Sequence, residues 1–130
     1  RGGNYGWRLR EGKHDFRADG EPVGTLVEPV IEYPRTAGQS VTGGFVYRGR
    51  SIPGLRGAYL FADYMTGRVW GARLREGGQP RVREVLKHQP IAVSSFAEGP
   101  DGELYLCGFK MPYARTGKIY RLVARSVSGD

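Results

Sequence analysis

At 130 residues the chain has the length of one ordinary domain, and its 39% hydrophobic and 12% aromatic content is enough to build a core. No stretch is apolar for long enough to span a bilayer as a helix, and the lone Cys107 excludes an internal disulfide while leaving the redox compartment open. The net charge is +7, but the basic residues are scattered along predicted strands and loops without a cluster, which argues against a nucleic-acid surface and leaves a weak preference for anionic partners.

Residues 1–40 read as a loop-rich lead-in. The chain opens at Arg1-Gly2-Gly3 with neither an initiator Met nor a visible signal peptide, as expected of a segment inside a longer gene product. In RGGNYGWRLREG, residues Asn4, Tyr5 and Trp7 are placed to fix a turn by hydrogen bonding and packing. Residues 13–29 are polar and rich in turn residues (His14-Asp15, Asp19-Gly20, Glu21-Pro22), which predicts an exposed loop. Pro29 to Tyr33 reads as a brief extended piece, and Pro34 to Ser40 as a second loop.

The pattern then changes. Thr42–Arg48, Gly57–Phe61, Arg68–Leu74 and Arg81–Leu86 are four predicted strands, rich in Val, Phe, Tyr, Leu and Trp and separated by Pro/Gly turns and the loop Asp63-Tyr64-Met65-Thr66-Gly67. The last strand is reached through Glu76-Gly77-Gly78-Gln79-Pro80. Three more strands follow, Val93–Glu98, Glu103–Cys107 and Lys118–Val123, the first two joined by the turn Gly99-Pro100-Asp101-Gly102. The tail SVSGD is expected to fray. No segment carries a helical period.

The two sets of strands echo each other. Gly57-Ala58-Tyr59-Leu60-Phe61 returns as Glu103-Leu104-Tyr105-Leu106-Cys107, and Thr66-Gly67-Arg68-Val69-Trp70 returns as Thr116-Gly117-Lys118-Ile119-Tyr120. The spacing of roughly 46–50 residues is that of a β-propeller blade. The predicted fold is therefore all-β: about two four-stranded antiparallel blades, with one full blade over 41–87 and three strands of the next over 91–124. So few blades cannot close a ring, which needs about 4–8, and the rest of the propeller must come from elsewhere in the gene product or from another chain. A self-contained sandwich or barrel of about seven strands is the alternative.

Single residues carry competing readings. His14 and His88 read as exposed residues rather than bases or ligands. Asp63, at a strand end, can cap a turn or meet calcium or a sugar hydroxyl. Arg35 and Arg68 can face a channel or the surface. Cys107 reads as a small core residue, and Trp7, Tyr47 and Trp70 as core rather than as sugar-stacking platforms. No Cys/His spacing suggests zinc, and no Gly-rich phosphate loop follows a strand.

Three motifs occur in order: Asn4-Tyr5-Gly6-Trp7, the run Ser40-Val41-Thr42-Gly43-Gly44-Phe45-Val46-Tyr47-Arg48-Gly49, and Pro100-Asp101-Gly102-Glu103-Leu104-Tyr105. Together they resemble the C-terminal part of the glucose/sorbosone dehydrogenase family. That family comprises soluble sugar dehydrogenases dependent on pyrroloquinoline quinone (PQQ) and the hedgehog-interacting-protein-like proteins. The likeness covers nearly the whole chain. It implies a six-bladed propeller, PQQ and Ca²⁺ as cofactors, a periplasmic or extracellular location, and oxidation of an aldose at C1 by hydride transfer to the quinone, with an electron acceptor as second partner. The catalytic His of those enzymes lies N-terminal to the matched region, so no catalytic residue is expected here. The resemblance places Tyr33, Arg35 and Ser40 where relatives contact PQQ, and Asp63, Tyr64 and Met65 where the sugar-oxidising members carry a cofactor-binding Lys. Two positions depart from that pattern: Met65 or a neighbour stands in place of the Lys, and Ala92-Val93-Ser94-Ser95 stands where active relatives carry arginines against the PQQ carboxylates. In this the chain is more similar to the hedgehog-interacting-like branch. Three functions compete: part of a PQQ-dependent aldose dehydrogenase, a non-catalytic propeller that binds a protein or glycan, and, third, a basic β-module that binds nucleic acid.

Overall fold

The computed structural model describes residues 2–17, 19–111 and 115–124. The chain divides into two compact units, Arg1–Tyr33 and Pro34–Asp130.

The first unit is not the plain loop that its polarity suggests. Strand β1 (Arg10–Glu11) pairs antiparallel with β2 (His14–Asp15), so His14 lies on a two-residue strand, still exposed. The turn between them closes because Gly12 adopts a left-handed conformation, φ 61°. Glu32 braces this turn, accepting from the Lys13 amide at 3.0 Å. Asn4 fixes the entry loop as predicted: its side chain accepts from the Gly6 amide and donates to the Val23 carbonyl, both at 2.9 Å. Pro29–Tyr33 forms no strand. Trp7 is not core: it is 73% exposed, its ring stacked on Phe16 with centroids 5.4 Å apart.

The second unit contains two separate antiparallel meanders. In the first, β3 (Val41–Val46), β4 (Tyr59–Asp63), β5 (Val69–Arg75) and β6 (Gly78–Leu86) are neighbours in chain order, with a single 3₁₀ turn (Pro53–Leu55) between β3 and β4. In the second, β7 (Ala92–Glu98), β8 (Leu104–Phe109) and β9 (Lys118–Arg121) do the same. Neither sheet closes on itself among the described residues, so the closed-barrel alternative falls and the architecture is that of an incomplete propeller. Strand β6 begins three residues earlier than predicted. Pro80 marks a loop in sequence but is tolerated here, because β6 is an edge strand and its register with β5 breaks between Arg73 and Arg75. The expected fraying of SVSGD concerns residues outside those described.

The period of two decides which face each strand buries. Along β8, Leu104, Leu106 and Gly108 are buried, whereas Tyr105, Cys107 and Phe109 are half-buried on the opposite face. Cys107 is thus in phase with Tyr105, as predicted, but it is not a core residue, because the leucines take the inner face. The core lies between the two meanders: Leu60 and Val69 from the first sheet and Tyr47 just after β3 pack with Val93, Phe96, Leu104 and Leu106 from the second and Leu122 just after β9. Trp70 is buried, as expected. Burial of each large aliphatic chain contributes about 1.5–3 kcal/mol.

Strand β3 reaches the second sheet directly, its Thr42 hydroxyl donating to the Val93 carbonyl at 2.8 Å. Within the first sheet, the close approach of β3 to β4 at their register shift requires Gly44, since a Cβ there would collide with the Leu60 carbonyl.

Candidate functional site

The loop that leaves β4 is organised by Asp63. Its side chain is fully buried at the strand end, and both oxygens are engaged. Oδ2 accepts from the amides of Gln39 and Ser40, both at 2.6 Å, and Oδ1 accepts from the Thr66 amide at 2.8 Å and the Thr66 hydroxyl at 2.9 Å. The main chain repeats the tie, with the Tyr64 amide donating to the Ser40 carbonyl at 2.7 Å and the Gly67 amide to the Asp63 carbonyl at 3.0 Å. Burial would raise the Asp63 pKa. The donors from Ser40, Thr66 and Gln39 outweigh it and hold the carboxyl below its ordinary value, so it is ionised at neutral pH. Gly38 makes room for this arrangement: a Cβ there would sit 2.5 Å from the Asp63 carboxyl carbon.

Four of the six predicted site residues meet here. Ser40, Asp63 and Tyr64 are joined by the bonds just given, and Met65 follows in the same loop with its side chain exposed. Arg35 is next to the group, its guanidinium donating to the Gln39 carbonyl at 3.1 Å. Tyr33 is half-buried and closes the first unit. Tyr64 meets Phe109 of the second sheet edge-on, centroids 6.0 Å apart. The arrangement is a pinned loop pair presenting a hydroxyl, a phenol ring, a thioether and one guanidinium. Arg68, by contrast, lies 3.5 Å from Glu84 as an ion pair.

The segment that replaces the expected arginines enters the second sheet with its apolar half inward. Ala92 and Val93 are buried, while Ser94 and Ser95 are exposed. Ser94 donates to the Cys107 carbonyl at 3.0 Å. Ser94 and Cys107 line a cleft of about 310 Å³ together with Phe109, Lys118, Ile119, Gly108 and Gly117. Among the described residues, no group of three or more His, Cys, Asp or Glu side chains could hold a metal ion.

A second buried carboxylate was not anticipated. Glu103 accepts from the Tyr47 hydroxyl at 2.7 Å, the Arg50 amide at 2.8 Å and the Ser51 amide at 2.9 Å. The Ser51 amide and the Tyr47 hydroxyl lower its pKa to about 2. Tyr47 is pushed the other way, by burial first and then by its bond to Glu103. The sequence signal was the turn in front of it. Asp101 accepts from the Glu103 amide, while Gly99 closes the turn through the Glu103 carbonyl and the Gly102 amide. The turn was legible, but not what the Glu side chain would meet.

No family model matches the chain. It is similar to the HIPL1 protein of Arabidopsis thaliana, 34% identical over an 83-residue alignment covering 54% of this chain, and to the HIPL2 protein of the same plant, 35% identical over 83 residues and 55% of this chain. The chain spans 12% of the length of each of these relatives. Among solved structures its fold is similar to that of a glucose dehydrogenase, with a TM-score of 0.63 at 22% identity, covering 96% of this chain and 35% of that one.

Proposed function

We propose a role in sugar oxidation for this chain, which belongs to the glucose dehydrogenase/HIPL-like family and supplies part of a larger β-propeller. The observation that carries the reading is the loop pair pinned by Asp63, which gathers Ser40, Tyr64 and Met65 beside Arg35 at one end of the first sheet. Such a rigid cluster on strand ends suits one wall of a cofactor or sugar site. Its members divide the work. Asp63 positions the loop, because both its oxygens are already committed, and Ser40, Tyr64 and Arg35 offer the side-chain contacts.

The fit to the implied cofactors is uneven. For Ca²⁺ the described residues hold no group of three or more His, Cys, Asp or Glu side chains, and no step here runs through calcium. For PQQ, Arg35 is the one cation among the six candidate residues, and it is tied through the Gln39 carbonyl to the pinned loop pair that carries Ser40 and Tyr64. Bound PQQ supplies a two-electron acceptor for the hydride from sugar C1. The chain's own residues would hold and orient it, while the general base comes from another part of the propeller. A periplasmic or extracellular setting follows from the same reading. Among the described residues no helix is long and apolar enough to cross a membrane.

The test uses the full-length protein with PQQ, Ca²⁺, an aldose and a dye as electron acceptor. Dye reduction that falls in an Arg35→Gln variant supports the reading. The absence of both dye reduction and a cofactor-induced absorbance change overturns it. A second reading, a non-catalytic propeller that binds a protein or glycan, is favoured by Met65 and by buried Ala92-Val93 at positions where sugar-oxidising relatives carry cations. It predicts no turnover but retained partner binding.

A further inference from the structure

The outer end of the first sheet holds arginines that form no ion pair among the described residues. Arg73 on β5 and Arg81 on β6 are directly opposite in the register, and Arg83 is opposite Gly71. Positions two apart on a strand share a face, so Arg73, Arg81 and Arg83 rise from the same side of the ribbon. Two of them converge further. The guanidinium of Arg73 donates to the Gly54 carbonyl at 3.2 Å and that of Arg83 to the same oxygen at 2.8 Å. Their donating nitrogens are therefore held within about 6 Å of each other by a shared acceptor.

Like charges opposite one another on a sheet oppose its pairing, and a chain normally answers them with Asp or Glu. Here none of the three arginines forms an ion pair among the described residues. Glu84, beside Arg83 in sequence, alternates to the other face and pairs with Arg68 at 3.5 Å. One shared carbonyl uses one donor from each guanidinium and leaves the remaining N–H groups of both forks for another acceptor. All three side chains are exposed.

We propose that Arg73, Arg81 and Arg83 form an oxyanion-binding site, suited to the carboxylate or sulfate groups of an acidic oligosaccharide. A planar or tetrahedral oxyanion matches paired guanidinium forks in geometry and relieves the repulsion between them. The Gly54 carbonyl acts as a built-in spacer that keeps the two forks convergent before the ligand arrives. This site is independent of the Asp63 loop, so it stands or falls separately from the oxidoreductase reading.

The experiment is calorimetric titration of the full-length protein with an oligogalacturonate, a sulfated oligosaccharide and a neutral oligosaccharide of equal length. The wild type is expected to bind one or both acidic ligands and not the neutral one, with affinity falling as salt rises. Arg73→Gln with Arg83→Gln is expected to weaken binding about tenfold, the loss of one or two charge-assisted bonds. The Arg81 side chain makes no hydrogen bond or ion pair among the described residues, so Arg81→Gln should weaken binding without changing the melting temperature. Unchanged acidic-ligand affinity in both variants overturns the site. Tighter binding to duplex DNA than to either acidic oligosaccharide, lost in the same variants, overturns the glycan assignment.

Discussion

The Tyr47 hydroxyl donates to Glu103 Oε2 across 2.7 Å, joining two residues 56 positions apart that flank strands of different sheets. The same hydroxyl accepts from the Ile52 amide at 2.9 Å, so one oxygen anchors the turn after β3 and the start of β8 together. Tyr47→Phe removes that oxygen while keeping the ring. It leaves the Ile52 amide without its acceptor and should cost about 1 kcal/mol, read as a lower urea midpoint with unchanged slope. An unchanged midpoint would mean that the hydroxyl contributes nothing.

Acid should loosen the fold in a defined window. Glu103 titrates at about 2 when folded, against an ordinary value of 4.5, and Asp63 is also held below its usual 3.8. A carboxyl with a depressed folded pKa stabilises above its unfolded value and loses that contribution as pH falls toward the folded one. From these two carboxyls, stability should therefore be flat between about pH 5 and neutrality and decline between pH 4.5 and 2. Glu103→Gln should lower stability at pH 7 and flatten this decline. Melting curves taken at pH 2.5, 4 and 7 would check both, and an equally steep decline in the variant would refute the assignment.

Asp63→Asn replaces a carboxylate that accepts four bonds by an amide with one acceptor oxygen. At least two donors lose their acceptor, and the expected cost is about 1–3 kcal/mol. Hydrogen exchange should report the place of the damage, with faster exchange at Gln39, Ser40 and Thr66 than at residues in β8.

Gly38→Ala tests the same loop from the other side. The added methyl lies 2.5 Å from the Asp63 carboxyl carbon, so either the carboxylate or the 34–38 turn must move. Overpacking of this kind costs about 1–3 kcal/mol. If the pinned loop is a cofactor wall, PQQ affinity in the full-length protein should fall with it. Wild-type stability and exchange in this variant would show that the loop yields freely.

Local chemistry made the strands legible. Val, Phe, Tyr and Leu between Gly/Pro turns placed seven strands, most of them to within a residue or two, and the Pro100-Asp101-Gly102 turn was visible before the hairpin it closes. Pro80 misled because its meaning depends on whether its strand lies at an edge, which only the sheet order decides. Cys107 misled for a related reason. Alternation sets which residues share a face, but not which face meets the core, and Leu104 and Leu106 took the inner one. Trp7 misled because stacking on Phe16 satisfies part of its surface without burial. Asp63 was half legible. Its position at a strand end suggested a turn cap, and the Thr66 bonds are that cap, but the Gln39 and Ser40 amides arrive from more than twenty residues away. No local window contains the partner that brings Glu103 into the interior.

Thr42 on Val93 and Tyr47 on Glu103 fasten neighbouring sheets at either end of β3. A breach of one sheet must therefore pull on the other, and protection against solvent exchange should be lost from the two together. Stress applied at the PDG turn would reach the opposite end of the first sheet through these two rivets, making the pair of wedges a single mechanical part.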